Sequence, residues 1–183
     1  MARKISVTKE MLLNAAFEIT REEGLREVTA RKLASKAGCS TQPIFRVYTG
    51  MDVLCDEVFS LAISDFSDFY VEYPVKSDVP FVNLGMAYIE YAAKEPQLFR
   101  LLFLEEKRCY TTLFGILNGK DSLLHKEIAK AGAMGSKNPS DIFMKMWIFI
   151  HGAASMVITG DYDLTMEETC TLLENAYHSF ANV

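Results

Sequence analysis

Residues Thr29 to Tyr48, TARKLASKAGCSTQPIFRVY, constrain this chain more than any other stretch. Thr29 stands where a helix needs a cap, and Leu33, Ala34 and Ala37 recur at the spacing of one inward face, with Arg31, Lys32 and Lys36 outside it. Gly38 ends that helix, because a turn this tight needs a residue that takes positive φ without a steric penalty. Ser40 is the next cap, opening a second short helix through Val47. Pro43 falls in its first turn, where its missing N–H would have had no intrahelical acceptor. Ile44 and Val47 or Tyr48 can pack inward, which leaves Thr41, Gln42, Pro43 and Arg46 on the open side. Helix, tight turn and helix is the pattern of a helix-turn-helix, which places its second helix in a DNA groove.

The flanks support a helical reading. Thr8 can cap a helix with Met11, Leu12, Ala15, Ala16 and Ile19 inward, ended by Gly24. After Thr49-Gly50 a long helix carries Val53, Leu54, Val58, Leu61, Ala62, Phe66 and Phe69. Tyr73 to Pro80, YPVKSDVP, with a proline near each end, reads as a linker. Further helices are expected over roughly 81–94, 97–104, 106–131, 140–160 and 165–181. No stretch alternates with the period of a strand. The expected fold is all-α with about nine helices: a three-helix DNA-binding domain over 1–50 and a larger helical domain over 51–183.

Charge divides the chain in the same place. The 183 residues carry a net −5, yet residues 1–50 hold nine Lys/Arg against five acids, so the other 133 carry a surplus of nine negative charges. A basic head on an acidic body suits a segment that meets phosphate while the rest keeps the protein soluble. Cys39, Cys55, Cys109 and Cys170 form no CxxC pair and show no metal-ligand spacing. Reduced thiols and a cytoplasmic location are the expectation, with no metal and no cofactor. The apolar run Met146 to Ile158 contains His151 and is about a third too short for a bilayer span, so a buried helix and no membrane are expected.

The last two helices carry surplus apolar surface. Ile142, Phe143, Met146, Trp147, Ile150, Ala153, Ala154, Val157 and Ile158 surround most of one; Thr169, Leu172, Leu173, Ala176, Tyr177 and Phe180 stripe the other, behind a Thr165–Glu168 capping box. That surplus suggests a four-helix homodimer interface. One recognition helix contacts only a few base pairs, so a head of this kind works best presented twice.

The order helix, TARKLASKAGCS, TQPIFRVY, long helix resembles the N-terminal domain of TetR-type bacterial transcriptional repressors. The run Trp147-x-x-x-His151-Gly152 resembles a motif in their penultimate helix. The resemblance implies a homodimer on double-stranded operator DNA, released by a small-molecule effector in the body. It also implies that Thr29, Ala30 and Arg31 form a phosphate-contacting helix start and that Ser40, Thr41, Gln42, Pro43 and Arg46 form the recognition surface. Phe45 takes the place of the usual aromatic, and Tyr48 that of a bulky residue before the fourth helix. Met51 stands where the family typically has a phosphate-gripping lysine. Arg46 suits guanine or phosphate, Gln42 adenine, and Thr41 or Pro43 a thymine methyl; Arg31, Lys32 and Lys36 suit the backbone.

Aromatic residues are dense in the body. Tyr88, Tyr91, Phe103, Tyr110, Trp147 and His151 are candidates to line an effector pocket, although such side chains also fill cores. A phosphate loop, a G-x-S-x-G and an H-E-x-x-H are all missing from the sequence, so no enzyme and no catalytic residues are expected. The rival to the regulator is a helical protein-interaction module with a degenerate helix-turn-helix.

Overall fold

A computed structural model describes residues 7–105, 113–118 and 122–181, and among these every regular element is helical. In chain order they are α1 (Lys9–Glu23), a 3₁₀ turn (Leu25–Glu27), α2 (Ala30–Lys36), α3 (Gln42–Val47), α4 (Met51–Glu72), α5 (Val82–Lys94) and α6 (Pro96–Phe99). A π-helical turn (Arg100–Leu104), α7 (Leu113–Asn118), α8 (Leu123–Ala133), α9 (Pro139–Thr159) and α10 (Met166–Ala181) follow. The all-α expectation holds, with ten α-helices among the described residues.

Contacts divide the chain into two compact units, Met1–Ile63 with Gln97–Thr111, and Ser64–Pro96 with Thr112–Val183. In the first, the Thr8 hydroxyl accepts from the Met11 N–H and the Thr29 hydroxyl from the Lys32 N–H, both at 3.2 Å. Each cap satisfies an amide that its helix cannot. Leu12, Ala16, Leu33, Ile44, Leu54 and Val58 are fully buried. Helices of seven and six residues are too short to persist alone, so this small core is what holds α2 and α3.

In the second unit α5, α9 and α10 pack on one another. α9, at 21 residues, is long and apolar enough to cross a bilayer by length and composition, unlike the shorter run read from sequence. Here Ile142, Phe143, Met146, Trp147, Ile150, Ala153 and Ala154 are buried, as a core helix requires. The capping box forms: Thr165 N–H donates to the Glu168 carboxylate at 2.8 Å and Glu168 N–H to the Thr165 hydroxyl at 3.2 Å.

Several boundaries differ from the sequence reading. The helix expected over 106–131 is interrupted, since Ser122 has φ +54° and α8 starts only at Leu123. The stretch 97–104 begins as α6 and widens into a π turn. The Tyr73–Pro80 segment is fastened, and so is no free linker: Asn83 Oδ1 accepts the Lys76 and Ser77 N–H groups at 2.8 and 3.1 Å, and buried Ser77 donates to Glu174 at 2.5 Å. α5 starts one residue late because Phe81 adopts φ +65°. Its N–H donates to the Glu127 carboxylate at 2.5 Å, and its ring lies 5.7 Å from Phe143 and 6.2 Å from Tyr177. A bulky residue in that backbone region is strained, and these contacts hold it there.

Gly85 is where α5 meets α9 and α10 most closely. A Cβ there would lie 2.8 Å from Ile150 Cδ1 and 2.9 Å from Leu173 Cδ1, two side chains with almost no exposure of their own. Overpacking of such a site costs about 1–3 kcal/mol, while the better helix propensity of an added side chain returns less than about 1 kcal/mol. Gly85→Val is therefore expected to lower unfolding free energy by about 1–2 kcal/mol in a urea titration; an unchanged midpoint would contradict this packing.

Candidate nucleic-acid interface

α2 ends where Gly38, at φ +64°, reverses the chain. The Cys39 N–H returns to the Ala34 carbonyl at 2.9 Å and the Gly38 N–H to the Ser35 carbonyl at 3.2 Å, the paired bonds of a Schellman turn. α3 follows after three residues. Its start corrects the sequence reading: Ser40 is not the cap, and the helix begins at Gln42 after Thr41, whose side chain makes no capping bond. The reason is chemical. Pro43 has no N–H, so a cap at Ser40 would lack the third-residue amide that a serine cap uses.

Ile44 is the one buried residue of α3, with no exposed surface, and Tyr48 just beyond it is 2% exposed. Gln42, Phe45 and Arg46 are exposed, as are Thr29, Arg31, Ser40 and Thr41, while Pro43 is half-buried. Phe45, at 56%, is a large apolar side chain left in solvent on a six-residue helix. Thr29 spends its hydroxyl on the α2 cap. Among the described residues neither Arg31 nor Arg46 enters an ion pair.

Tyr48 faces inward instead. Its hydroxyl donates to Glu57 at 3.0 Å, Lys9 pairs with the same carboxylate at 2.6 Å, and the Lys9 ammonium sits 5.6 Å from the Tyr48 ring centre. The lysine hydrogen bond holds the Glu57 carboxyl below its usual range, and burial together with Glu57 pushes the Tyr48 phenol up to about 12. Tyr48 thus ties the end of α3 to α4 and α1.

The two lysines of α2 are also engaged. Lys32 Nζ lies 2.8 Å from Glu23 and bonds Glu27 as well, and Lys36 Nζ spans both oxygens of Glu22 at 2.7 and 2.8 Å. Donating to Glu23 and then to Glu27 raises the Lys32 ammonium above its ordinary range. Reading the sequence missed these pairings. The visible signal was two lysines four residues apart beside a glutamate-rich stretch, Glu22, Glu23 and Glu27.

In the body, three of the six candidate effector residues meet. Tyr88 is fully buried, its hydroxyl 2.9 Å from His151 Nδ1 and its ring 4.9 Å from Trp147, on which the His151 imidazole stacks at 5.5 Å. Burial keeps the imidazole pKa below its ordinary value. Tyr91, also fully buried, donates to Asp65 at 2.9 Å and contacts Phe66 and Phe69, which were not among the six candidates. Phe103 sits on the π turn against Phe99 in the other unit. Tyr110 lies outside the described residues.

The chain matches no family model. An "uncharacterized HTH-type transcriptional regulator YobS" of Bacillus subtilis (strain 168) is 24% identical over 112 residues, 59% of this chain and 59% of that protein. The chain is similar to a regulator. The match spans less than two thirds of that relative's length.

The Tyr48 anchor generates a test. A phenol whose pKa is raised by folding stabilises the native state below about pH 10, and that contribution disappears as pH rises toward 12. Tyr48→Phe should cost about 0.5–1.5 kcal/mol at neutral pH, the worth of one hydrogen bond. In thermal melts the gap between variant and wild type should close above about pH 10; a gap constant through that range would show that the hydroxyl is not the source.

Proposed function

We propose that this chain is a DNA-binding transcriptional regulator that acts as a homodimer and leaves its operator when a small molecule enters the helical body. In this reading residues 1–50 grip duplex DNA and residues 51–183 sense and dimerise. The observation that carries it is α3: Ile44 fixes the helix from below, and Gln42, Phe45 and Arg46 project together from the other side. Gln42 and Arg46 are the side chains for adenine and guanine edges. Phe45 offers a flat apolar face for a thymine methyl or sugar. Arg31, Thr29, Ser40 and Thr41 flank it as phosphate contacts, and the amides at the start of α4 supply partial positive charge where Met51 supplies none.

The dimer reading draws on the outer side of α9. Ile148 is 68% exposed in the middle of a helix, and Phe149, Met156, Leu164 and Leu172 line a groove of about 570 Å³ beside it. The effector reading draws on Tyr88, Trp147 and His151, with Tyr91 in the same unit. These polar tips buried among rings can give a mostly apolar guest its few directed hydrogen bonds. A saturable anisotropy signal with DNA from upstream of the chain's own gene, falling as salt rises, tests the regulator; no signal at low salt returns the protein-interaction module.

Gln42→Ala with Arg46→Ala should lower operator affinity by two or more orders of magnitude, given about 1–3 kcal/mol for each base contact, with circular dichroism and sedimentation unchanged. Ile148→Asp should give monomers by sedimentation and reduce operator affinity with them, since half-sites one helical turn apart, about 34–36 Å, are then no longer read jointly.

A further inference from the structure

Net charge says how many cations the head carries; the ion pairs say how many are at liberty. Lys32 and Lys36 stand one turn apart on α2, and both are turned to carboxylates at the end of α1 and on the turn that follows it. Three glutamates hold two lysines, so the cluster as a whole is negative. Arg31, beside Lys32 in sequence, and Arg46 on α3 are left outside it. Each of these lysine–carboxylate contacts is a bond that a phosphate oxygen would have to displace.

We propose that Glu22, Glu23 and Glu27 are an intramolecular counter-anion for Lys32 and Lys36, restraining the head's grip on DNA backbone so that binding depends on the arginines and on the α3 surface. The inference rests on the DNA-binding reading and adds a selectivity device to it. Phosphate contacts give affinity without sequence information. A head that withholds two of them binds unrelated DNA less, while base contacts from α3 are untouched. The carboxylates therefore raise the ratio of operator to non-operator binding at some expense in total affinity.

The test uses the full-length chain with Glu22→Gln, Glu23→Gln and Glu27→Gln combined, with Lys32→Gln and Lys36→Gln combined, and with all five. The probes are a labelled random-sequence duplex of roughly three helical turns and the DNA upstream of the chain's own gene. Exposed ion pairs contribute little to stability, and thermal melts identify any variant that is not folded. Neutralising the glutamates should steepen the salt dependence on random DNA by about 0.9 per lysine. That is roughly a tenfold larger loss of affinity between about 50 and 200 mM salt. The lysine variant should keep the wild-type slope, and the five-fold variant should lose the gain. Tighter random binding with operator binding raised less completes the expected pattern, whereas binding by the glutamine variant alone would overturn the selectivity device, since wild type would then have no operator binding to favour.

Equal slopes in wild type and the glutamine variant, whatever the change in affinity, would show that the carboxylates withhold no phosphate contact and overturn the proposal. A gain that survives in the five-fold variant would attribute the effect to total charge and overturn it too. Absence of binding by wild type and every variant at low salt would instead overturn the DNA-binding reading itself.

Discussion

The head stands on a core of few side chains. α3 has six residues and buries a single one of them, Ile44, which is fully buried, as are Leu12, Leu33, Leu54 and Val58 of the same unit. No helix of that length survives on backbone hydrogen bonds alone, because nucleation consumes most of what one or two turns return. The geometry of Gln42, Phe45 and Arg46 is therefore set from beneath, by packing that does not involve them. The exposed trio can change without unfolding the support, and a fault in the support would abolish the display while leaving the trio intact.

Helix ends and inward faces were legible in the sequence where local chemistry decides them. Thr8, Thr29 and the Thr165–Glu168 box cap as read, and the turn at Gly38 forms because its two returning amides need a residue at positive φ. Ser40 is passed over as a cap because Pro43, third in the helix it would open, offers its hydroxyl no N–H to accept. The break at Ser122, the strained Phe81 and the π turn carry no periodic or compositional mark. Phe81 owes its conformation to Glu127, 46 residues away, and to rings of α9 and α10. Tertiary contacts override local preference there. The Tyr73–Pro80 segment looked free because prolines bound it, but Asn83 and Glu174 supply the partners its own backbone lacks.

Site residues were legible as types more than as roles. Tyr48 could be read as an inward residue or as part of the DNA-facing set, and it is an internal strut. Lys32 and Lys36 looked like phosphate ligands and are occupied. A count of basic residues measures charge, whereas a ligand meets the field those charges leave after their neighbours have answered them. Of the cations in the described head, Lys9, Arg21, Lys32 and Lys36 are each beside a carboxylate. The head's excess is correspondingly smaller at its surface than along its sequence.

The same accounting applies to the aromatic body, with the opposite result. A phenol buried among rings must be hydrogen-bonded, or its desolvation costs more than the packing returns. Tyr88 and Tyr91 solve this differently, one against the His151 imidazole on α9 and the other against the Asp65 carboxylate on α4. Neither partner is itself fully buried. Each hydroxyl is thus satisfied by a group that sits nearer the surface. The rings of Phe66, Phe69 and Trp147 can therefore pack against these phenols without leaving an unpaired hydroxyl among them.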